Sequence, residues 1–442
     1  MSSTRRHFLK TTGGLGMALT AAQSAQQKVA ANDRVQIASI GVGIMGLGDL
    51  ETAIALPGVK LVACCDVYQG RLARAKEVAG DDLFTTRDYR EVLARKDVDA
   101  VIIATPDHLH AQMAVEAMGA GKDVYVQKPM VQKVEQGLGL VAAQKRTGRI
   151  LQVGSQRVSS IVYEKARQLI ASGAIGAVNM VEAWTDRNTA IGAWQYSIPP
   201  DASPETVDWD RFLAQAPKRP FEPVRLFRWR NYQDYGTGVA GDLFVHLFSG
   251  IHYVLSSIGP VRIYSTGGLR FWKDGRDVPD VQLGVYDYPK TAAHAEFTFA
   301  LRVNFVAGAG SNSGFRFVGS EGVLTLGRTL TLAKQPREKE PGYTIETFPQ
   351  AVQQKFLAEY RKKYPERREL DGASEERFIA PPGYTEQVHH HQNFIAAVRS
   401  RKPVVEDAAF GLRAAGPAVL SNTSHFEERV VDWDPVAMKV KS

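Results

Sequence analysis

Cysteine is almost missing from this 442-residue chain: Cys64 and Cys65 are the only two, and they are adjacent. Neighbours on a strand project to opposite faces and do not pair easily, so the fold is expected to rest on its core and not on disulfides. No apolar run reaches the roughly eighteen residues of a membrane span. A strong charge of one sign is also lacking. The formal net charge of +7 falls to +3 once Arg5, Arg6, Lys10 and Lys28 of the first 31 residues are set aside, because that segment holds no acid. No basic cluster interleaved with aromatics stands out, which argues against a nucleic-acid partner. There is no fixed-period repeat and no long low-complexity segment, which excludes solenoids and tethers. What remains, at 44% hydrophobic content, is a soluble globular chain long enough for two or three domains.

The N-terminus carries Ser3-Thr4-Arg5-Arg6-His7-Phe8-Leu9-Lys10, followed by a mild, glycine-containing apolar stretch from Thr11 to Ala22. This pattern predicts a twin-arginine signal peptide over residues 1–31, with small residues at Val29-Ala30-Ala31 or at Ala25 for cleavage. That route exports folded proteins, often with a cofactor already inside. It points to a periplasmic or secreted bacterial protein, and folding in a reducing compartment fits the scarcity of cysteine.

From Arg34 a β-prone run ends at Gly41-Val42-Gly43-Ile44-Met45-Gly46 and a helical pattern follows. A second strand, Val59 to Cys65, ends at Asp66, twenty residues past Gly46. Strand, glycine turn, helix and a delayed acid form the dinucleotide-binding pattern, whose backbone amides meet a pyrophosphate at a helix N-terminus. Asp66 would bind both ribose hydroxyls and repel a 2′-phosphate, which favours NAD; Arg71 leaves NADP open. Ile44 and Met45 join the glycines as cofactor contacts. The strand Val98 to Ala104 leads into Thr105-Pro106-Asp107-His108-Leu109-His110, a turn with Asp107 as a helix cap. Asp123 to Val126 is the next strand, and Gln127-Lys128-Pro129 stands at its C-terminal end, where open α/β sheets bind ligands. Thr105, Pro106, His110, Gln127 and Lys128 complete the expected cofactor site, and residues 33–155 the expected Rossmann domain.

Residues 156–442 have a different texture. Long alternating strands (178–184, 261–266, 281–288 and 294–306) predict a large, mostly antiparallel open sheet, so the fold class is α/β followed by α+β. The proline-rich stretch Ile198 to Pro223 reads as an ordered arm, and the charged residues 334–383 as a surface insertion. A helical pattern resumes from Gln387 to Ser400. Within this region Tyr235-Gly236-Thr237-Gly238 opens a helix with Asp242 and His246 four apart, placing both on one face. A carboxylate so placed can orient an imidazole that takes a hydroxyl proton near neutral pH. His252 lies on another face and reads as core. Trp184, Trp194, Tyr196, Trp229, Tyr232 and Tyr235 offer flat faces for sugar rings or for packing. Arg187, Asn188, Arg228 and Arg230 are candidates for hydroxyl contacts. His389-His390-His391 would fan out by about 100° per residue on a helix and cannot share one ion, so no metal is expected.

The ordered set of GxGxxG, TPxxxH, x-Lys-Pro and DxxxH resembles the glucose-fructose oxidoreductase, inositol dehydrogenase and rhizopine-catabolism (Gfo/Idh/MocA) superfamily. Gly319 to Leu326 and the run His390 to Phe394 are similar to its members too. The resemblance implies hydride transfer between a nicotinamide and a secondary hydroxyl of a sugar, glycoside or cyclitol. It implies Lys128, Asp242 and His246 as catalytic residues that also bind substrate; Arg157, Trp184 and Tyr235 are further expected substrate contacts. It further implies a homodimer or homotetramer. Because free NAD is scarce outside the cytoplasm, a tightly held cofactor recycled by a second substrate is expected. One departure is Gln127, where the family usually has glutamate, which removes an anion beside Lys128. A redox-assisted glycosidase acting through a transient 3-keto sugar is the alternative; the retained Lys128 argues for the dehydrogenase.

Overall fold

Alternation of short buried runs with helical segments builds a first sheet of six parallel strands: β1 (Val35–Ile40), β2 (Val59–Cys65), β3 (Phe84–Thr86), β4 (Ala100–Ile103), β5 (Asp123–Val126) and β6 (Leu151–Val153), in the order β3-β2-β1-β4-β5-β6. The molecule is a computed structural model that describes residues 34–335, 340–365 and 374–441. The twin-arginine segment, residues 1–31, lies outside these. Helices α1 (Ile44–Ile54), α2 (Gln69–Ala79), α3 (Tyr89–Ala94), α4 (Asp107–Gly119) and α5 (Glu135–Thr147) connect the strands. β4 and β5 are buried along their whole length, as parallel strands covered on both faces must be.

After α6 (Ile161–Ala171) the chain forms β7 (Val178–Asp186), and then the arm, which contains the short helices α7 (Trp209–Leu213) and α8 (Pro223–Phe227). A π-helical turn, Ala240–Phe244, runs directly into α9 (Val245–Leu255). Strands β8 (Arg262–Gly268), β9 (Val281–Tyr288), β10 (Phe297–Asn304), β11 (Asn312–Gly319), β12 (Gly322–Leu326) and β13 (Thr329–Lys334) follow. Helix α10 (Gln350–Lys363) buries no residue, as a surface insertion should, while β14 (Ser374–Ile379) pairs with β13 at the sheet edge. Helices α11 (Glu386–Ser400) and α12 (Ala408–Phe426) precede β15 (Val431–Asp434) and β16 (Lys439–Val440).

The second sheet has ten strands in the order β14-β13-β12-β11-β7-β10-β9-β8-β15-β16, and β7 with β10 is its parallel pair. One face buries Val181, Ala183, Phe299, Leu301 and Phe315 against α9, where Phe248 meets Phe299 edge-on at 5.6 Å. Burying each of the side chains larger than alanine contributes about 1.5–3 kcal/mol, so this face fixes where α9 sits. Residues of α11 return to the first sheet: Phe394, Ile395 and Ala397 share a buried cluster with Ile37, Ala100 and Tyr125. Cys64 and Cys65 are buried free thiols, and burial pushes the Cys64 thiol up to about 12.

Candidate functional site

The glycine turn after β1 is dictated by contact. Gly41 has φ +84°, and a Cβ there would stand 2.8 Å from the Ala104 backbone. A Cβ on Gly46 would lie 1.9 Å from the Gly41 carbonyl oxygen. No side chain caps the first turn of α1, so its leading amides have no side-chain acceptor, a setting that favours an anion. Asp66 Oδ2 accepts from Val42 N at 2.9 Å and Oδ1 from Tyr68 N at 3.0 Å, leaving further lone pairs on each oxygen. Arg71 Nη1 is 3.7 Å from Asp66, and its guanidinium lies over Phe227 at 5.3 Å. Gly41, Gly43, Asp66, Arg71 and Phe227 line a cavity of about 660 Å³ together with Ile44, Met45, Thr105 and Pro106. Its size, glycine floor and acid at the end of β2 fit a dinucleotide.

The arm closes the other wall with Phe212, Ala214, Leu226, Phe227 and Trp229. Its attachment is a set of specific bonds to the turn after β2: Gln69 N donates to Thr206 O at 3.0 Å, Asp208 N to Val67 O at 2.9 Å, and Tyr68 Oη to Asp201 at 2.6 Å. His108 Nε2 meets Phe212 O at 2.9 Å. The ordered arm expected from the sequence is therefore a cover over the cavity.

At the C-terminal end of β5 the Lys128 ammonium donates to Asp242 O at 2.9 Å and to Asp242 Oδ1 at 3.0 Å. Arg230 Nε donates to the same Oδ1 at 3.1 Å. Burial alone would raise the Asp242 pKa, but Lys128 and Arg230 outweigh it and hold the carboxyl well below the ordinary range. His246 Nδ1 is 3.4 Å from Ser155 Oγ. Burial, then Lys128 and Arg157, push the imidazole pKa well below its ordinary value, so it is neutral at neutral pH. Arg157 is held by Glu386 at 2.6 Å and lies within electrostatic reach of His246. The π turn before α9 places Asp242 toward Lys128, a device the sequence pattern did not reveal.

Four expected site residues fall elsewhere. Trp184 is in register with Arg302 on the outer face of the sheet, opposite the buried face that packs on α9, and Arg302 lies 5.8 Å over its ring. Strand alternation fixes two faces but not which one meets the site. Tyr235 is fully buried and packs on Phe212 and His108 at 4.7 and 5.5 Å, so it supports the arm and does not line the site. His110 is 1% exposed, its ring nitrogens facing Pro129 O at 2.7 Å and Thr105 O at 2.8 Å; it ties two loops together and has no nitrogen left for a cofactor. Gln127 turns backward and donates to Asp49 Oδ2 at 2.7 Å. Asp107 is not the cap; it occupies the first position of α4 after Pro106. Its Oδ2 accepts from Thr237 N at 3.0 Å and Thr237 Oγ1 at 2.7 Å. Burial and the nearby Asp242 push the Asp107 carboxyl up to about 7.

Asp49 itself is a buried acid that sequence reading missed. It accepts from Gln127, from Gln387 Nε2 at 3.2 Å, and faces His391 Nε2 at 3.5 Å. Among the described residues no group of three or more His, Cys, Asp and Glu is arranged to hold a metal, and no helix is long and apolar enough to cross a membrane.

Residues 35–155 match an oxidoreductase family described as an NAD-binding Rossmann fold, and residues 145–265 match the C-terminal alpha/beta domain of an oxidoreductase family. Curated relatives include glycosyl hydrolase family 109 protein 1 of Shewanella sp. (strain ANA-3), 34% identical over 174 residues. That alignment spans 32% of this chain and 37% of the relative's length. Among solved structures, levoglucosan dehydrogenase in complex with NADH and levoglucosan has a TM-score of 0.64 at 17% identity, covering 90% of this chain and 99% of that one. An oxidoreductase domain protein from Kribbella flavida gives 0.65 at 20% identity, covering 90% and 99%. The apo scyllo-inositol dehydrogenase of Lactobacillus casei gives 0.62 at 16% identity, covering 90% and 98%. At these identities the likeness is one of fold.

Proposed function

The chain belongs to the Gfo/Idh/MocA oxidoreductase family, whose two domains span residues 35–265 between them, and on that premise we propose that it transfers hydride between a nicotinamide and a secondary hydroxyl of a sugar, glycoside or cyclitol. The observation that carries this reading is the Lys128–Asp242 pair with neutral His246 in electrostatic reach, tied to the cavity through Arg230, which pairs with Asp242 and lines the cavity wall.

Gly41, Gly43, Ile44, Met45 and Gly46 would receive the pyrophosphate, and Asp66 the ribose hydroxyls of NAD. A bound nicotinamide would supply the hydride acceptor needed for the alcohol carbon to become a carbonyl. His246 takes the hydroxyl proton. With Nδ1 protonated and donating to Ser155 Oγ, the Nε2 lone pair is the base. Two of the three Lys128 N–H donors go to Asp242, and the remaining one stabilises the developing alkoxide. Asp242 positions Lys128 and Arg230. The arm across the cavity supports a tightly held cofactor that a second substrate must recycle, as an exported protein would require. Trp229 and Tyr196 line the cavity and offer faces to a sugar ring.

The redox-assisted glycosidase is kept as a second reading because of the curated relatives named glycosyl hydrolase family 109. Mixing purified protein with a nitrophenyl β-glucoside separates the two. Growth of the reduced-nicotinamide band without nitrophenolate is expected. Nitrophenolate release with little change in that band would select the glycosidase, and no change in either across a panel of neutral and acidic nitrophenyl glycosides would remove both.

A further inference from the structure

The charges around the proposed reacting centre do not balance. Lys128 and Arg230 share one carboxylate oxygen of Asp242, at 3.0 and 3.1 Å. Arg157 has its own partner in Glu386. Arg187, on the segment leaving β7, has none: Nη1 donates to Gly192 O at 2.9 Å, the guanidinium lies 5.4 Å over Phe305, and no carboxylate stands within salt-bridge reach among the described residues. Yet Arg187 is close enough to act on both Asp242 and His246. The other titratable groups facing this centre are Asp107, only partly ionised near neutral pH, and the Tyr196 phenol, which burial raises first of all. Lys128, Arg157, Arg187 and Arg230 thus outnumber Asp242 and Glu386, the carboxylates that pair with them.

Like charges gathered at a half-buried site repel unless an anion joins them. A buried structural cluster would be expected to recruit a carboxylate from the chain, but here Arg187 and Arg230 stay half-buried, with guanidinium N–H groups that no side chain of the described residues takes up. Trp229 lies under the Arg230 guanidinium at 4.3 Å, which orients that fork beside the aromatic wall. Arginine forks match carboxylates in two parallel hydrogen bonds, and the alkoxide needs only Lys128.

We infer that the substrate is an acidic sugar, a hexuronic acid or its glycoside, whose carboxylate is received by Arg187 and Arg230 while a ring hydroxyl meets Lys128 and His246. This rests on the proposed dehydrogenase reading and names its substrate class.

The test is calorimetric binding to the NAD-loaded protein of methyl β-D-glucuronide, methyl β-D-glucoside and methyl β-D-glucoside 6-sulfate, repeated with Arg187→Gln and Arg187→Lys. The glucuronide is expected to bind at least about tenfold tighter than the glucoside, with Arg187→Gln removing most of that gap and Arg187→Lys retaining part of it. Equal or tighter binding of the neutral glucoside, or a gap untouched by Arg187→Gln, would overturn the inference. Tighter binding of the sulfate ester would overturn the carboxylate assignment. Binding does not require hydride transfer, so preferential uptake of the glucuronide with no reduced-nicotinamide band would uphold the acidic substrate and refute the dehydrogenase.

Discussion

Two buried aspartates stand on either side of the Gln127–Lys128 step, and their carboxyl pKa values move in opposite directions. Asp242 is 5% exposed and faces the ammonium of Lys128 and the guanidinium of Arg230, which keep it ionised against the effect of burial. Asp49 is fully buried and faces two amides and His391, and burial raises its pKa because no cation close by is strong enough to offset it. Burial is alike at the two positions; the partners differ. Consecutive residues at the end of β5 therefore serve different ends, Lys128 facing the site and Gln127 bolting α1 to α11 through Asp49.

The largest break in this comparison is Lys128→Met. It leaves Asp242 with one close cation and removes the alkoxide donor, so hydride transfer in stopped-flow absorbance should fall by about 10³-fold. Stability should also drop, by up to about 3 kcal/mol, in a denaturant titration. Next is Gln127→Glu, which sets a second carboxylate where an amide now donates to Asp49. We expect a loss of about 2–3 kcal/mol at pH 7, because one of the pair must stay protonated. Adding Asp49→Asn should restore stability to within about 1 kcal/mol, and a double variant no better than the single one would contradict the pairing.

The pH dependence sharpens the same contrast. Asp107 has a native pKa raised from 3.8 to about 7, so the folded state binds the extra proton. Its contribution to stability is fully present below about pH 4 and is lost as pH rises through about 7. Asp49 and Glu406 are raised as well and add to that slope. Asp107→Asn should flatten part of it, read as the denaturation midpoint across this range. The smallest effect belongs to Trp184→Ala: on the outer face of the sheet it should alter the Michaelis constant by less than about twofold, within the scatter of neutral surface changes.

The cofactor side was legible because its parts are contiguous. A strand, Gly41 to Gly46, a helix and Asp66 form one local unit whose spacing follows from backbone geometry. The Asp242 and His246 spacing was legible too, but not the π turn that aims Asp242, since nothing in the residue pattern distinguishes it from an α-helical start. Gln127 shows the limit most clearly. Its partner Asp49 is 78 residues away and the third member, Gln387, 338 from Asp49, so only the folded chain reveals why an amide stands there. Trp184 and Tyr235 misled for a related reason: aromatic clustering in sequence does not say which face of a strand or which side of the arm each ring takes.

The most direct test of hydride transfer is to incubate the NAD-loaded protein with a glycoside deuterated at all its ring carbons and recover the cofactor for mass spectrometry. The account predicts reduced cofactor carrying deuterium delivered as deuteride, with its formation abolished by His246→Ala. Substrate turned over with no label ever entering the cofactor would contradict it.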